Sequence, residues 1–413
     1  MRKSRMGPWR AAVLVGVNLL IVSRLLTWWL MGKGPTLSPI EPSESMYTLE
    51  KGLINAGFVF FALAILSTLV FGRFVCGWGC HIVALQDLCG WLMKKLGVRP
   101  RPFRSRLLVL APVALAFWMF AKPTLVREVV KPLTGQHWTA VAPYIGEVAP
   151  RPELRAAFVK KEFWETFPAW YVAVPFLIVC GFGCVYFLGN KGFCTFGCPY
   201  GGVFMPADKL AIGHILVNDS CEHCGHCTTV CSSNVRVHEE VRDYGMVVDP
   251  GCMKCMDCVS VCPNNALSFG FARPAVLVKR RTPGRHPRFK ARVHDLNWAG
   301  EIAAAGLFLA LVMAFRGCFG QVPLLMAMGL AAIGVYLAWK LVQMVMEPSV
   351  SMQHLQLKFK GRLRPAGVVI GTLAITMLMT AAWSGVVRYS VWRGVILDDQ
   401  LALSLDQVLA PGL

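Results

Sequence analysis

Charged residues are scarce in this sequence: Asp, Glu, Lys and Arg together make up 16% of its 413 residues. A soluble domain of average composition carries about a quarter, which argues against a soluble globular chain. Hydrophobic residues make up 55%, and they form blocks long enough for transmembrane helices, which need about 20 residues. The blocks are continuous rather than alternating, so they predict a mainly α, polytopic helical bundle and not a β-barrel.

Acidic residues are especially few, at 23 against 42 basic residues, which gives a net charge of +19. An excess of this size is also found in nucleic-acid-binding proteins. Here, however, the basic residues cluster beside the apolar blocks, as in membrane proteins whose cytoplasmic loops are positive. We therefore expect contacts with anionic lipid head groups and no nucleic-acid partner.

Seven apolar blocks predict about seven membrane spans. The third block is short for a full span, so a re-entrant segment is its alternative. The blocks are 11–31, 53–71, 107–121, 171–188, 298–315, 323–346 and 366–387. If all seven span, the basic segments 2–10, 94–106, 279–292 and 358–364 fall on one side. This predicts a multi-pass protein of the cell inner membrane, with its N-terminus inside and its C-terminus outside.

The sequence also has no phosphate-cradling glycine loop, Ser-His-Asp set or dinucleotide fingerprint. Cysteine, by contrast, is abundant: there are 16, and twelve of them lie in short regular motifs. Without a secreted-domain disulfide pattern, such spacing indicates metal or cluster ligation. Because these thiolates must stay reduced, we expect the motif-bearing side to face the cytoplasm.

Eight cysteines form the strongest motif. The spacing Cys-x2-Cys-x2-Cys-x3-Cys occurs twice, and Pro263 follows the last cysteine, as in bacterial ferredoxins with two [4Fe–4S] clusters. Since the fourth cysteine of each run ligates the other cluster, the predicted ligand sets are crossed. The first cysteine set is Cys221, Cys224, Cys227 and Cys262, and the second cysteine set is Cys252, Cys255, Cys258 and Cys231.

A pair of zinc sites is the alternative for these eight cysteines. Zinc takes four ligands, typically as two Cys-x2–4-Cys pairs set well apart. Triplets with a trailing fourth cysteine fit that pattern poorly. We therefore predict a small α+β, ferredoxin-like insert at 218–272 that binds two [4Fe–4S] clusters.

An internal repeat supplies four more cysteines at the predicted inner ends of the second and fourth blocks. The first edge motif contains Cys76 and Cys80, and the second contains Cys194 and Cys198. Each motif is aromatic-rich and follows a helical hairpin, so the two copies are expected to lie side by side. Together they could hold a third metal or cluster. The alternatives are a dithiol/disulfide redox pair and plain structural cysteines.

Two hairpins ending in Cys-x3-Cys, followed by a two-cluster insert, resemble the membrane-bound polyferredoxin family, which includes NapH-, NosR- and CcoG-like 4Fe-4S proteins. The resemblance covers roughly residues 53–269. It implies electron transfer between the quinone pool or the cytoplasm and an acceptor at the outer face. The chain departs from the family pattern at His81, where Pro is usual, as at Pro199. Neither a NosR-like flavin domain nor a CcoG-like soluble domain is expected.

Four regions follow from these patterns. They are a four-span membrane core with both edge motifs (1–217), the ferredoxin-like insert (218–272), a basic cytoplasmic linker (273–297) and a three-span C-terminal membrane region with an outer tail (298–413).

The predicted function is electron transfer from quinol or a cytoplasmic donor, through two [4Fe–4S] clusters, to a membrane acceptor or an outer-face redox protein. Quinone is a further candidate cofactor. The alternatives are a copper (metal) reductase or assembly factor for a respiratory metalloenzyme, and a membrane redox sensor. Whether the chain is an enzyme or the electron-transfer component of an oxidoreductase system stays open.

Overall fold

The computed structural model describes residues 4–32, 34–98, 100–135, 153–160, 168–281, 294–316, 318 and 321–401. The segment 122–168, between the third and fourth apolar blocks, is expected from the sequence to be an outer loop. Parts of it and of the predicted basic linker (273–297) lie outside the described residues. So does the C-terminal tail beyond residue 401.

Helices dominate the described residues, which confirms the mainly α class. In chain order they are α1 (Met6–Leu30), α2 (Met46–Lys51), α3 (Ala56–Phe71), α4 (Phe74–Gly79), α5 (His81–Lys95), α6 (Leu108–Thr134), α7 (Trp170–Leu188), α8 (Gly192–Phe196), α9 (Pro199–Leu210), α10 (His226–Thr229), α11 (Val237–Tyr244), α12 (Asp257–Val261), α13 (Trp298–Phe315), α14 (Leu324–Met346) and α15 (Pro365–Leu401).

Within the described residues, six helices are long and apolar enough to cross a membrane: α1, α6, α7, α13, α14 and α15. The polytopic helical membrane fold is thereby confirmed. The remaining predicted block, 53–71, forms α3, which has only 16 residues and is shorter than a bilayer core at 1.5 Å per residue. Asn55 begins this helix, because its side chain accepts a hydrogen bond from the Phe58 N–H at 2.8 Å.

The third span is longer than the sequence suggests. The predicted block ends at residue 121, just before Lys122 and Pro123, whereas α6 continues to Thr134. Pro123 and Pro132 lack the N–H that would bond one turn back. The helix accommodates them with two π-helical segments, Phe117–Ala121 and Val126–Val130, in the turns just before the prolines. The re-entrant alternative is therefore not needed.

Short strands complete the described fold. The strands are β1 (Thr36–Leu37), β2 (Leu53–Ile54), β3 (Arg155–Ala156), β4 (Val159–Lys160), β5 (Gly213–Val217), β6 (Leu267–Phe271), β7 (Val350–Met352), β8 (Leu355–Phe359) and β9 (Arg362–Leu363). The pairs are β1 with β4, β2 with β3, and β5 with β6, while β7, β8 and β9 form one small sheet.

Strands β5 and β6 bring together the two ends of the cysteine-rich segment. They pair antiparallel, from Gly213 opposite Phe271 to Val217 opposite Leu267. Helices α10, α11 and α12 lie between them in the chain. A Cβ on Gly213 would lie 2.7 Å from the Val70 carbonyl oxygen, so a glycine is needed where β5 crosses the end of α3. The cysteine-rich segment is thus seated directly on the membrane bundle.

Candidate functional site

The two ferredoxin-type motifs repeat one backbone path. In the first, His223, Gly225 and Asn234 have positive φ angles. In the second, positive φ angles recur at Lys254, Met256 and Asn265. Each of these residues is as far along the chain from its counterpart in the first motif as Cys252 is from Cys221. Such left-handed residues are uncommon unless glycine, so their repetition marks two copies of one ligand loop.

The first cysteine set lines one cavity. Its four members, Cys221, Cys224, Cys227 and Cys262, all contribute to the wall. Burial, with smaller contributions from the nearby Cys224 and Cys221 thiolates, raises the pKa of Cys227 to about 11. The structure therefore gathers three cysteines of the first motif with the last cysteine of the second.

The second cysteine set lies deeper. Cys252, Cys255 and Cys258 are buried, and burial raises the pKa of Cys255 to about 11. Cys231 belongs to the first motif, yet Cys255 and Cys252 lie close enough to add to the burial that raises its pKa. The crossed ligand sets stay a prediction, but the structure brings the predicted members together.

The donor sets suit clusters better than single ions. Four thiolates on one zinc all lie about 2.3 Å from it. In the described part of the chain, no three His, Cys, Asp or Glu side chains converge closely enough to hold one metal ion. A [4Fe–4S] cluster instead takes one thiolate at each of four irons, so its cysteines stand further apart. The residues present fit such a cluster.

The edge motifs also repeat one backbone path. Cys76 and Cys194 lie on the short helices α4 and α8. Cys80 and Cys198 immediately precede α5 and α9, with φ/ψ of −85°/124° and −92°/108°. The Cys198 Sγ accepts a hydrogen bond from the Gly201 N–H at 3.4 Å. The repeat that the sequence indicates is therefore present in the structure.

All four edge cysteines converge on one place. Burial, with smaller contributions from the charges of Cys80 and Cys76, raises the pKa of Cys198 to about 12. The pKa of Cys194 is also raised, by burial and then by the charges of Cys198 and Cys80. The proximity of the four thiols is compatible with metal or cluster ligation, with a dithiol/disulfide pair and with a structural role.

The first edge motif touches the second cysteine set directly. A Cβ on Gly77 would lie 2.1 Å from the Met253 carbonyl oxygen, so only glycine fits at this contact. The adjacent Trp78 indole N–H donates to the Lys254 carbonyl at 3.0 Å. Met253 and Lys254 form the loop between Cys252 and Cys255. The edge motifs and the ferredoxin-type motifs therefore form one continuous site.

Sequence reasoning missed the buried charges around this site. Arg73 and Lys191 are almost completely buried, and each stands three residues before the first cysteine of an edge motif. That shared offset is the signal that could have found them. Their acidic partners, Asp208 and Asp87, lie at different distances along the chain from the two edge motifs. Only the folded structure therefore identifies them.

Two family models match the chain: a 4Fe-4S binding domain over residues 55–99 and a 4Fe-4S dicluster domain over residues 220–267. The first covers one edge motif and the second covers all eight ferredoxin-type cysteines. Together with the apolar helices, these matches indicate a membrane protein that carries 4Fe-4S binding domains. No solved structure matches the chain.

Two ferredoxin-type proteins are similar to this chain. The methylamine utilization ferredoxin-type protein MauN of Methylorubrum extorquens is 26% identical over 55% of this chain and 70% of its own length. The ferredoxin-type protein NapH of Haemophilus influenzae is 26% identical over 48% of this chain and 60% of its own length. The predicted resemblance to membrane-bound polyferredoxins is confirmed, and with it a general role in iron–sulfur electron transfer.

Proposed function

We propose that this protein passes electrons from quinol or a cytoplasmic donor to an acceptor in the membrane or at its outer face. The first and second cysteine sets would each hold a [4Fe–4S] cluster, which supplies one-electron chemistry when bound. The chain itself supplies position, burial and polar contacts. The direct contact of Gly77 and Trp78 with the loop between Cys252 and Cys255 carries this proposal, since it joins the ferredoxin-type segment to the membrane bundle.

The two cysteine sets differ in access. Cys224 is exposed, and its set lines a cavity at the surface of the segment. Cys252, Cys255 and Cys258 are covered. This difference supports exchange with a soluble partner at the first set, and exchange with the membrane bundle at the second.

The proposed orientation counts α3 as a short seventh span and places the ferredoxin-type segment (218–272) in the cytoplasm. The chain would be an inner-membrane protein with its N-terminus inside and its C-terminus outside. Support comes from the basic segments that flank the spans. The membrane core (1–217), the linker (273–297) and the C-terminal region (298–413) are proposed as the remaining units.

We further propose that Cys76, Cys80, Cys194 and Cys198 hold a third iron–sulfur centre. Two observations support it. The four cysteines lie close together, and a 4Fe-4S binding model spans the first edge motif.

Iron and acid-labile sulfide in anaerobically purified protein test this arrangement. We expect about twelve irons per chain from three clusters, and about eight in Cys198→Ser. Cys318→Ser is the matched control, because Cys318 is buried beside Ser384 and should leave twelve. In membrane vesicles, Cys198→Ser should also stop electron flow to an outer acceptor.

The outcomes separate the parts of the proposal. About eight irons in both the unaltered protein and Cys198→Ser would reject the third centre alone. Normal electron flow in Cys198→Ser would reject the role of the edge motifs. Bound zinc with little iron would reject electron transfer altogether.

A further inference from the structure

Each edge motif carries one deeply buried cation. Arg73 is 2% exposed and Lys191 is 1% exposed. They occupy equivalent positions, three residues before Cys76 and Cys194. Burying a charge is costly unless it is compensated by an opposite charge and by hydrogen bonds. The surroundings of the two cations therefore indicate what compensates them.

The carboxylates near the cations come from the opposite repeats. Asp208 follows the second edge motif, and it accepts a hydrogen bond from the Arg73 backbone N–H at 2.9 Å. Asp87 follows the first edge motif and forms an ion pair with the Lys191 ammonium. The exchange of partners ties the two repeats together.

These carboxylates are shared with other cations. Asp208 also pairs with the Lys254 ammonium at 3.1 Å, and Asp87 pairs with the Arg10 guanidinium at 3.0 Å. Arg10 also approaches Asp257 at 3.7 Å, so the four cations share three carboxylates. Asp208 meets Arg73 only through the backbone N–H, and among the described residues the Arg73 guanidinium forms no ion pair with a carboxylate.

The Arg73 guanidinium is directed toward the cysteines. One terminal nitrogen donates to the Pro250 carbonyl at 2.8 Å, and the guanidinium interacts with Cys76, Cys194 and Cys198. Its Nε atom is buried and has no hydrogen-bond partner. Leaving a buried donor without a partner is costly, so such a group in a native structure calls for an explanation, such as a bound ion or cluster.

We propose that Arg73 and Lys191 are positioning residues that balance the negative charge of the centre held by the four edge cysteines, with the Arg73 Nε–H donating to a sulfur atom of that centre. The inference rests on the third site proposed above. Reduction adds one electron, and hence one negative charge, to the centre. A neighbouring cation and an N–H donor favour that added charge, so they raise the reduction potential.

Potentiometric titration followed by EPR tests the inference. The variant is Arg73→Gln, which removes the charge, and Arg73→Lys is the conservative rescue. In Arg73→Gln the reduction potential of the third centre, followed by its EPR signal, should be lower by at least about 59 mV. This corresponds to a tenfold change in the equilibrium constant of a one-electron reduction. Arg73→Lys should recover most of this shift. Lys340→Gln is the control, because Lys340 is a buried cation beside Trp339 in the C-terminal region.

The results distinguish this inference from the proposed third centre. Iron near eight per chain in the unaltered protein would overturn both. Iron near twelve with an unchanged potential in Arg73→Gln would overturn the inference alone, and an equal shift in Lys340→Gln would do the same. If Arg73→Gln loses iron, Lys191→Gln provides the second measurement: a lowered potential supports the role, and an unchanged one overturns it.

Discussion

The two motifs of the ferredoxin-type segment share one backbone path and differ in what surrounds them. The first cysteine set lines a cavity that reaches the surface, and Cys224 is exposed. In the second set, Cys252, Cys255 and Cys258 are 7–8% exposed, and the loop between the first two contacts Gly77. A duplicated ligand loop has thus been placed in two environments. Burial and polar contacts tune the potential of an iron–sulfur centre, so one fold provides two different sites.

The largest expected difference between the two sets concerns access to solvent. During anaerobic incubation with a chelator and a mild oxidant, about four irons, one cluster, should leave quickly from the exposed first set. The remaining iron should leave far more slowly, because the second set is covered. Iron release measured against time gives both phases. In Cys224→Ser the fast phase should be absent, and a single uniform rate in the unaltered protein would contradict the comparison.

A second prediction concerns the contact that covers the second set. Gly77→Ala places a Cβ against the Met253 carbonyl oxygen, and overpacking of this kind costs about 1–3 kcal/mol. We expect a lower unfolding temperature and faster iron release from the second set. Gly79→Ala is the matched control on the same helix, since nothing lies within 4 Å of its Cβ position. Equal behaviour of the two variants would show that the contact does not protect the second set.

The smallest expected effect concerns the indole beside that contact. Trp78→Phe keeps an aromatic ring but removes the hydrogen bond to the Lys254 carbonyl. A single hydrogen bond contributes about 0.5–1.5 kcal/mol, so thermal unfolding should shift only slightly. The slow phase of iron release should accelerate modestly, while the fast phase stays unchanged. An accelerated fast phase would mean that Trp78 acts on the whole segment rather than on its buried half.

Local patterns were sufficient for much of this architecture. Helix α13 begins and ends at the predicted residues, because Asn297 caps a continuous apolar run by accepting from the Gly300 N–H at 2.8 Å. The cysteine spacing likewise indicated both ligand sets, since ligand loops are encoded within a few residues. The repeated edge motif could be found because both copies keep the same spacing.

Other features depend on contacts between distant residues. Arg73 and Asp208 are 135 positions apart, and nothing near either residue indicates that they meet. Glu301 also depends on distant partners. It is fully buried, and it accepts hydrogen bonds from the Ser105 hydroxyl and the Arg106 N–H. The extent of α6 was missed for another reason, since proline normally ends a helix and the π-helical segments that accommodate it have no known sequence pattern.

The seating of the loop between Cys252 and Cys255 also constrains biogenesis. Its cysteines are covered once Met253 packs against Gly77 and the Lys254 ammonium is paired with Asp208. If the second set holds the proposed cluster, iron and sulfide must reach those thiols while they are accessible. Loading of the second set is therefore expected before the segment docks on the bundle, because later delivery would require this contact to open again.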